Sequence, residues 1–423
     1  MEDDESSAEF GDNPFANLPM FGDLAKALAG QGPLNWDAAR QFAAIAANSR
    51  EQNSREQNSR EQTSREQTSR EGGSSAETGA AITEGNVEPS VRIALGELAR
   101  IVELHVRDLS GLETVFPEVT PVSRGVWAQR ALEAYRPLFT ELATSLGRRP
   151  AQSENDEEAD PLFAMMSNLS QMMAPSMMGM AVGSMVGRLA ARTFGQYDLP
   201  IPRSDRALML VPANIDEFAV DWSLPTDEMR LWVLAQEMIG HTLFGFDRLC
   251  DQLSALVRRH VGAFRPDASA VAEHLGSLES ADGDPMATMQ QLLSDPALLL
   301  GAVQSPEQLA MAPQLDAAIA AVVGSVDYLV DAVAARVIGG DALKIAEAVR
   351  RRRFEATPDD VFVNRLLGLQ LTQEQVQRGK TFTAGVVDRV GEQGLLKLFN
   401  SDQPLPTPAE LEAPGLWIAR LEL

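Results

Sequence analysis

The chain has 423 residues, of which 44% are hydrophobic, and its formal charge of −24 comes from 60 acidic and 36 basic residues. This composition excludes a wholly disordered chain, and the acidic balance argues against nucleic-acid binding because it repels phosphate backbones. The single cysteine, Cys250, excludes an intrachain disulfide and a cysteine-rich metal cluster, which suits a cytoplasmic protein.

The first 88 residues are predicted to form three segments. Residues 1–30 are acidic and polar, have no apolar signal-peptide core, and are predicted to be a disordered tail. Residues 31–49 are predicted to contain a short helix capped by Asn35 or Asp37. Residues 50–88 are predicted to be a low-complexity linker, because their five-residue repeat pairs Glu with Arg four positions apart but offers no apolar face.

From residue 89 to 423 the pattern predicts one helical domain, interrupted by an acidic loop at 148–161. The loop has many carboxylates but lacks the alternating spacing and central glycine of a calcium site. The first helix of the domain carries an apolar stripe, which places His105 on a buried face. The stripe consists of Leu95, Leu98, Val102, His105 and Leu109.

A methionine-rich stretch at 164–188 is predicted to be a tightly packed core helix. Its glycines, Gly179, Gly183 and Gly187, recur every four residues and would allow another backbone to approach closely. A partner-binding surface is the alternative, because methionine also builds adaptable surfaces. Residues 172–187 are the most apolar run in this region, but they contain a proline and are shorter than the roughly 20 residues of a membrane span. No membrane span is therefore expected.

The rest of the chain predicts a mostly α fold with minor β structure. The predicted helices cover 226–263, 268–278, 285–293, 306–337, 342–353, 358–368 and 372–394, and the best strand candidate is 207–212. The basic run at 350–353 ends one of these helices, where cations complement the helix dipole. His260 and His274 lie in polar helical contexts and are expected at the surface.

The helix that begins near residue 226 contains an altered metal-binding pattern. In the motif H-E-x-x-H, two histidines one turn apart bind zinc, and the glutamate activates the metal-bound water. Here the window reads QEMIG: Glu237 keeps the general-base position, while Gln236 and Gly240 stand where the histidines would be. His241 follows one residue late, which rotates it about 100° around the helix.

Several further segments carry a resemblance to a known family. They are GPLNWDAARQ (32–41), LVPANIDEFAVDW (210–222), RLWVLAQEMIGH (230–241), NRLLGLQL (364–371), VVDRVG (386–391) and LPTPAEL (405–411). In this order and spacing they resemble an actinobacterial family of zincin-like hydrolases. Members are labelled zinc-dependent metalloproteases, or are associated with the biosynthesis of a deazaflavin coenzyme. The resemblance covers most of residues 30–420.

The resemblance implies a multi-helix zincin-like domain and a third zinc ligand, a glutamate just before a glycine on a later helix. That glycine matches Gly324, which puts Val323 at the third ligand position. Gln, Gly and Val then replace all three ligands that the family uses. A neutral amide is a poor zinc ligand, and the other two side chains have no donor atom.

Three functional hypotheses remain open from the sequence. The first is a scaffold or binding protein that has lost its metal site, has no cofactor, and acts through an unknown protein or small-molecule partner. The second is a zinc metallohydrolase whose site has moved to Glu237, His241 and Asp327. The third is an enzyme of different chemistry, for which the chain shows no G-x-S-x-G elbow and no phosphate-binding glycine loop.

Overall fold

The computed structural model describes residues 32–48, 87–111, 115–146, 161–265, 305–354, 367–369 and 372–422. Several predictions lie outside these residues: the tail at 1–30, nearly all of the linker at 50–88 and of the acidic loop at 148–161, the helices at 268–278 and 285–293, most of 358–368, and His274.

The described chain is built almost entirely of helices, so the mostly α prediction is confirmed. The helices before the central pair are α1 (36–48), α2 (Pro89–Ser110), α3 (Arg124–Ala134), α4 (Arg136–Leu146), α5 (Pro161–Ala190) and α6 (Pro212–Asp221). The later helices are α7 (Thr226–Leu243), α8 (Asp247–Gly262), α9 (Pro306–Val337), α10 (Ala342–Phe354), α11 (Gln373–Phe399), α12 (Pro408–Glu412) and α13 (Pro414–Glu422), with a short 3₁₀ turn at Gly339–Asp341.

The β structure among these residues is one small parallel sheet. Strand β1 (Val119–Pro121) pairs with β2 (Leu208–Leu210), with Val119 opposite Leu208. All three β2 residues are buried, which explains why this segment reads as an apolar run rather than an alternating one. The strand predicted at 207–212 is therefore found, although it is shorter.

Two apolar helices form the centre of the fold. Helix α7 packs against α2, α6, α9 and α10, and α9 packs along most of the length of α11. Helix α9 begins with a capping box, in which the Ser305 hydroxyl accepts from the Gln308 N–H and the Gln308 side chain accepts from the Ser305 N–H. These central helices are buried on nearly every side, which fixes the direction in which each of their polar side chains must point.

The glycines of the methionine-rich helix face α1. A Cβ on Gly183 would stand 2.3 Å from the Ala39 carbonyl oxygen, and a Cβ on Gly179 would stand 2.3 Å from that of Asn35. The backbones of α1 and α5 therefore touch, as the four-residue spacing predicts. Asn35 caps α1, since its Oδ1 accepts from the N–H groups of Asp37 and Ala38. Helix α1 thus packs onto the main helical body rather than standing apart from it.

Three local predictions are wrong. The single helix predicted at 226–263 is two helices, because α7 ends at Leu243 and the chain turns through Gly245 before α8 begins. His260 is not at the surface: it is 1% exposed, and Gln308 Nε2 lies 3.3 Å from its Nε2 and donates to its carbonyl oxygen. His105 is only half-buried, because Val106 takes the core position on α2.

Among the described residues, one helix is long and apolar enough to cross a membrane, namely α9. It is not the run at 172–187 that the sequence singled out. Within the fold, 78% of the most apolar window of α9 is buried by other parts of the chain. This burial is the environment of a core helix. The length and composition of α9 are shared by core helices and membrane-spanning helices.

Candidate functional site

The altered motif lies in the most buried part of α7. Every residue from Trp232 to Leu243 on this helix is buried, and Glu237 is fully enclosed. A carboxylate in such surroundings needs donors for its oxygens, because an isolated buried charge is strongly unfavourable. The donors come from an irregular stretch between α5 and β2, which we call the 194–198 segment after its residues.

The 194–198 segment binds Glu237 through its backbone. The Gln196 N–H donates to Glu237 Oε2 at 2.7 Å, and the Tyr197 N–H donates to Oε2 at 3.0 Å and to Oε1 at 3.2 Å. Gly195 makes this approach possible, since a Cβ there would lie 2.3 Å from the Glu237 carboxyl carbon. Glu237 therefore fastens a loop to the central helix, and its oxygens are engaged by that loop.

Burial raises the pKa of Glu237 well above the ordinary glutamate value, and the negative charge of Asp198 acts in the same direction. The two backbone N–H groups and the more distant Arg203 oppose this shift and do not overcome it. Glu237 consequently holds a proton at pH values where an exposed glutamate has lost it. The hydrogen-bond donors to Glu237 are backbone N–H groups of the 194–198 segment, while the neighbouring Gln236 bonds to Asp198 instead.

The raised pKa of Glu237 predicts a stability that falls as pH rises. The folded state keeps the Glu237 proton above about pH 4.3, where the unfolded chain releases it, so unfolding is favoured by about 1.4 kcal/mol for each pH unit up to the folded pKa. Glu237→Gln keeps the shape and an acceptor oxygen but cannot titrate. We expect the wild type to lose stability relative to Glu237→Gln in urea unfolding as the pH rises above the ordinary glutamate pKa.

The difference between these two proteins isolates Glu237, because every other titrating group is common to both. A difference in unfolding free energy that does not change with pH would contradict the raised pKa.

Gln236 contributes to a polar cluster beside Glu237. Its Nε2 donates to Asp198 Oδ1 at 2.9 Å. The other oxygen of Asp198 accepts from the Phe194 N–H at 2.6 Å and from Arg352 Nη2 at 3.2 Å. Arg352 also lies over the Phe194 ring, with its Cζ 3.6 Å from the ring centre. Gln236 thus helps to anchor the 194–198 segment through the Asp198 side chain, while Glu237 anchors it through the backbone.

Gly240 and His241 both contact Tyr197. A Cβ on Gly240 would stand 2.7 Å from the Tyr197 Cβ, so this tyrosine occupies the space over the helix at that position. The Tyr197 hydroxyl forms a 2.9 Å hydrogen bond with His241 Nδ1, and its ring stacks on Phe244. Burial lowers the pKa of His241 to about 4, so its imidazole is neutral at pH 7.

The remaining candidate residues lie on α9. Val323 is 6% exposed and belongs to the apolar core. Asp327 is 2% exposed and forms a two-pronged ion pair with Arg353, at 3.0 and 3.1 Å, while Arg350 Nε approaches it to 3.6 Å. Asp327 is therefore held by arginines of α10.

The three residues of the shifted-site hypothesis have separate partners. Glu237 is bound by the 194–198 backbone, His241 by Tyr197, and Asp327 by Arg353. Over the part of the chain that the structure describes, no three His, Cys, Asp or Glu side chains are grouped so that they could hold a metal ion.

Sequence reasoning missed the residues that surround Glu237. The 194–198 segment reads as an unremarkable connection, and its local signal is a glycine next to hydrogen-bonding residues, ten positions before the buried strand β2. The sequence relates the basic run at 350–353 to the helix dipole, yet Arg350, Arg352 and Arg353 form ion pairs with Asp198, Asp327 and Asp331. The excess of arginines over one turn was the signal for this buried network.

Comparisons with known proteins show what this chain and its fold are similar to. A family model described as zincin-like metallopeptidase matches residues 66–418. A crystal structure from Chloroflexus aurantiacus, described as a proposed hydrolase with a novel fold, aligns over 92% of this chain and 99% of that one, with a TM-score of 0.51 and 21% identity. At that identity the likeness concerns the fold alone. No curated protein matches the chain.

The zinc ion that such a family implies does not fit the residues at these positions. Gln236 offers a neutral amide that is already bonded to Asp198, and Gly240 lies under the Tyr197 ring without a side chain of its own. Val323 supplies only carbon atoms. Zinc in proteins is bound by thiolate, imidazole and carboxylate groups, of which these three positions have none.

Proposed function

This chain belongs to the zincin-like metallopeptidase family, and we propose that it acts by binding, as a scaffold or ligand-binding protein whose metal site has been lost. In this proposal Gln236, Gly240 and Val323 occupy the positions of the three former zinc ligands. Glu237 remains from the ancestral site and has taken a structural role.

The observation that carries the proposal is the engagement of Glu237. A general base must have an oxygen free to reach a water molecule or a substrate proton. Both Glu237 oxygens instead accept N–H groups of the 194–198 segment, and the raised pKa of Glu237 favours its protonated form, which is not a base. The contact between Tyr197 and Gly240 adds support, because it occupies the space that a histidine ligand would need.

The proposed setting is the cytoplasm of a bacterium of the actinobacterial type, with a protein or a small molecule as the partner. The lone cysteine, Cys250, supports a reducing compartment, since a chain with one cysteine cannot form an intrachain disulfide. The acidic charge of the whole chain supports a partner other than nucleic acid.

The alternative is a zinc metallohydrolase with the shifted set Glu237, His241 and Asp327. One observation favours it: the His241 imidazole is neutral, as a metal ligand must be. For the set to act, Asp327 would have to leave Arg353 and Glu237 would have to leave the 194–198 backbone.

Metal content separates the two functions. We expect the untagged protein, purified and dialysed against buffer with added zinc, to contain far less than one zinc per chain by inductively coupled plasma mass spectrometry. The matched control is a Glu237→Ala/His241→Ala double variant, which should give the same low value. Stoichiometric zinc in the wild type that disappears in the double variant would establish the shifted site and refute the proposal.

A further inference from the structure

A cavity of about 100 Å³ lies directly beside Gln236 and the 194–198 segment. Its walls include Trp127, Leu189 and Val349, and its polar lining contains three arginines, Arg192, Arg352 and Arg353, with Asp198 as the one carboxylate. The volume counts the space open to the centre of a water molecule, and roughly 10–15 Å³ of such space admits one water. The cavity therefore has room for several waters or for a small oxyanion. The side chains of Arg352 and Arg353 are about one-fifth exposed, so the cavity is reached from solvent.

The lining of the cavity is rich in guanidinium groups. Those of Arg192, Arg352 and Arg353 share it with Asp198, which pairs with Arg352. Asp327, behind the wall, is committed to Arg353 through two hydrogen bonds. The pKa of Arg352 falls to about 10, chiefly because the group is buried, and the positive charges of Arg192 and Arg353 act in the same direction while Asp198 opposes them. A bound anion would relieve this repulsion.

Two buried polar atoms of the lining residues have no partner among the described residues. One is Arg352 Nη1, a donor, and the other is Gln236 Oε1, an acceptor on a residue that is only 5% exposed. Buried polar groups are nearly always hydrogen-bonded, so an unpaired donor and an unpaired acceptor on residues that line one cavity call for a ligand that can meet both. A carboxylate or phosphate with a neighbouring hydroxyl, or a singly protonated phosphate, has this pairing of oxygen atoms and a donor.

We propose that this cavity, which we call the arginine cavity, binds the oxyanion headgroup of a small carboxylate or phosphate ligand. The fork of Arg352 would donate to the anion, and Gln236 Oε1 would accept from its hydroxyl. The inference rests on the proposed function, because it names the ligand class of a binding protein. It also gives Gln236 a positive role: the residue anchors Asp198 through its Nε2 and presents its oxygen to the ligand.

The test is a titration of the metal-stripped protein with inorganic phosphate and, separately, with glycolate, at constant ionic strength. Isothermal calorimetry and the thermal midpoint should both report saturable binding of at least one of the two anions. Phosphate alone would identify a phosphate headgroup, glycolate alone a carboxylate, and either supports the cavity. If neither phosphate nor glycolate binds saturably, the proposed anion site in the arginine cavity is overturned.

Three variants assign the binding to the arginine cavity. Arg352→Gln removes the fork, and Val349→Met fills the space without changing charge, so each should weaken binding about tenfold or more. Arg351→Gln is the matched control, since it makes the same charge change one residue away, at an exposed position outside the cavity, and should bind like the wild type. If Arg352→Gln fails to fold, the anion affinity of Val349→Met alone decides whether the anion binds in the arginine cavity. Equal binding by Val349→Met and the wild type would overturn the proposal.

The zinc content and the anion titration test the two proposals separately. Stoichiometric zinc together with intact anion binding would refute the proposed function alone. Absence of both zinc and saturable anion binding would refute the arginine cavity and leave the loss of the metal site standing.

Discussion

Replacing Gly195 with alanine is expected to destabilise the protein by roughly 3 kcal/mol, although it adds only one methyl group. The new Cβ would lie 2.3 Å from the Glu237 carboxyl carbon and 2.6 Å from its Oε2. Neither side of this contact can yield easily. The Gly195 carbonyl is held by the Trp127 indole N–H at 2.8 Å, and the Phe194 carbonyl by the Val211 N–H at 2.8 Å, while Glu237 projects from a fully packed helix.

A double-mutant cycle identifies the cause of this loss. Glu237→Ala alone should cost about 1–3 kcal/mol, because it leaves the N–H groups of Gln196 and Tyr197 without their acceptor. In that background the clash is gone, so Gly195→Ala should cost less than about 1 kcal/mol. Glu237→Gln is the control of equal size, and it should not relieve the clash. Equal costs of Gly195→Ala in all three backgrounds, measured by urea unfolding, would contradict the contact.

Replacing Gly379 with alanine is expected to have a comparable or larger effect, about 3 kcal/mol or more. A Cβ on Gly379 in α11 would stand 1.9 Å from the Ala320 carbonyl oxygen in α9, and a Cβ on the facing Gly324 would stand 2.1 Å from the Gly379 carbonyl carbon. Both obstacles are backbone atoms, so the helices would have to separate. Separation would also break the Ser325–Thr383 hydroxyl contact at 3.1 Å between the same helices.

Gly96 provides the matched control for Gly379. It also lies inside a helix, α2, but a Cβ there meets nothing within 4 Å. Gly96→Ala should therefore stabilise the protein by about 0.5–1 kcal/mol, because alanine loses less backbone entropy on forming a helix. Thermal unfolding of the two variants should shift in opposite directions. A Gly379→Ala variant as stable as the wild type would mean that the backbones of α9 and α11 do not touch at Gly379.

The Gly324–Gly379 contact also bears on the candidate site. Val323 and Asp327 lie on either side of Gly324 on α9, so the distance between α9 and α11 sets their depth in the core. In the family resemblance, Gly324 serves only to locate the third ligand position at Val323. Its physical role appears only with its partner, 55 positions later in the chain, because close helix contact requires a small residue on both helices at the same level.

Close helix contact is predictable in part from a single helix, as the glycine stripe of α5 shows. The stripe consists of Gly179, Gly183 and Gly187. Four-residue spacing predicts that something approaches one side of α5, since that inference depends on a single helix. Only the fold identifies α1 as the neighbour. The errors at His105 and His260 have a related cause. Each concerns which neighbours cover a helix face, and flanking residues along the chain indicate this only weakly.

The sequence by itself determined what depends on side-chain identity and local periodicity. It predicted the mostly α fold, the position of α9 and a strand at β2. The resemblance to a known family marked Gln236, Gly240 and Val323 as the ligand positions, and their side chains offer none of the usual zinc donors. The tertiary structure alone decided what the surviving polar groups bind. Glu237 meets the Gln196 N–H from 41 positions away, and Asp198 meets Arg352 from 154 positions away. A buried polar group takes whichever partner the packing of the whole chain brings within about 3 Å, and no local pattern encodes that partner.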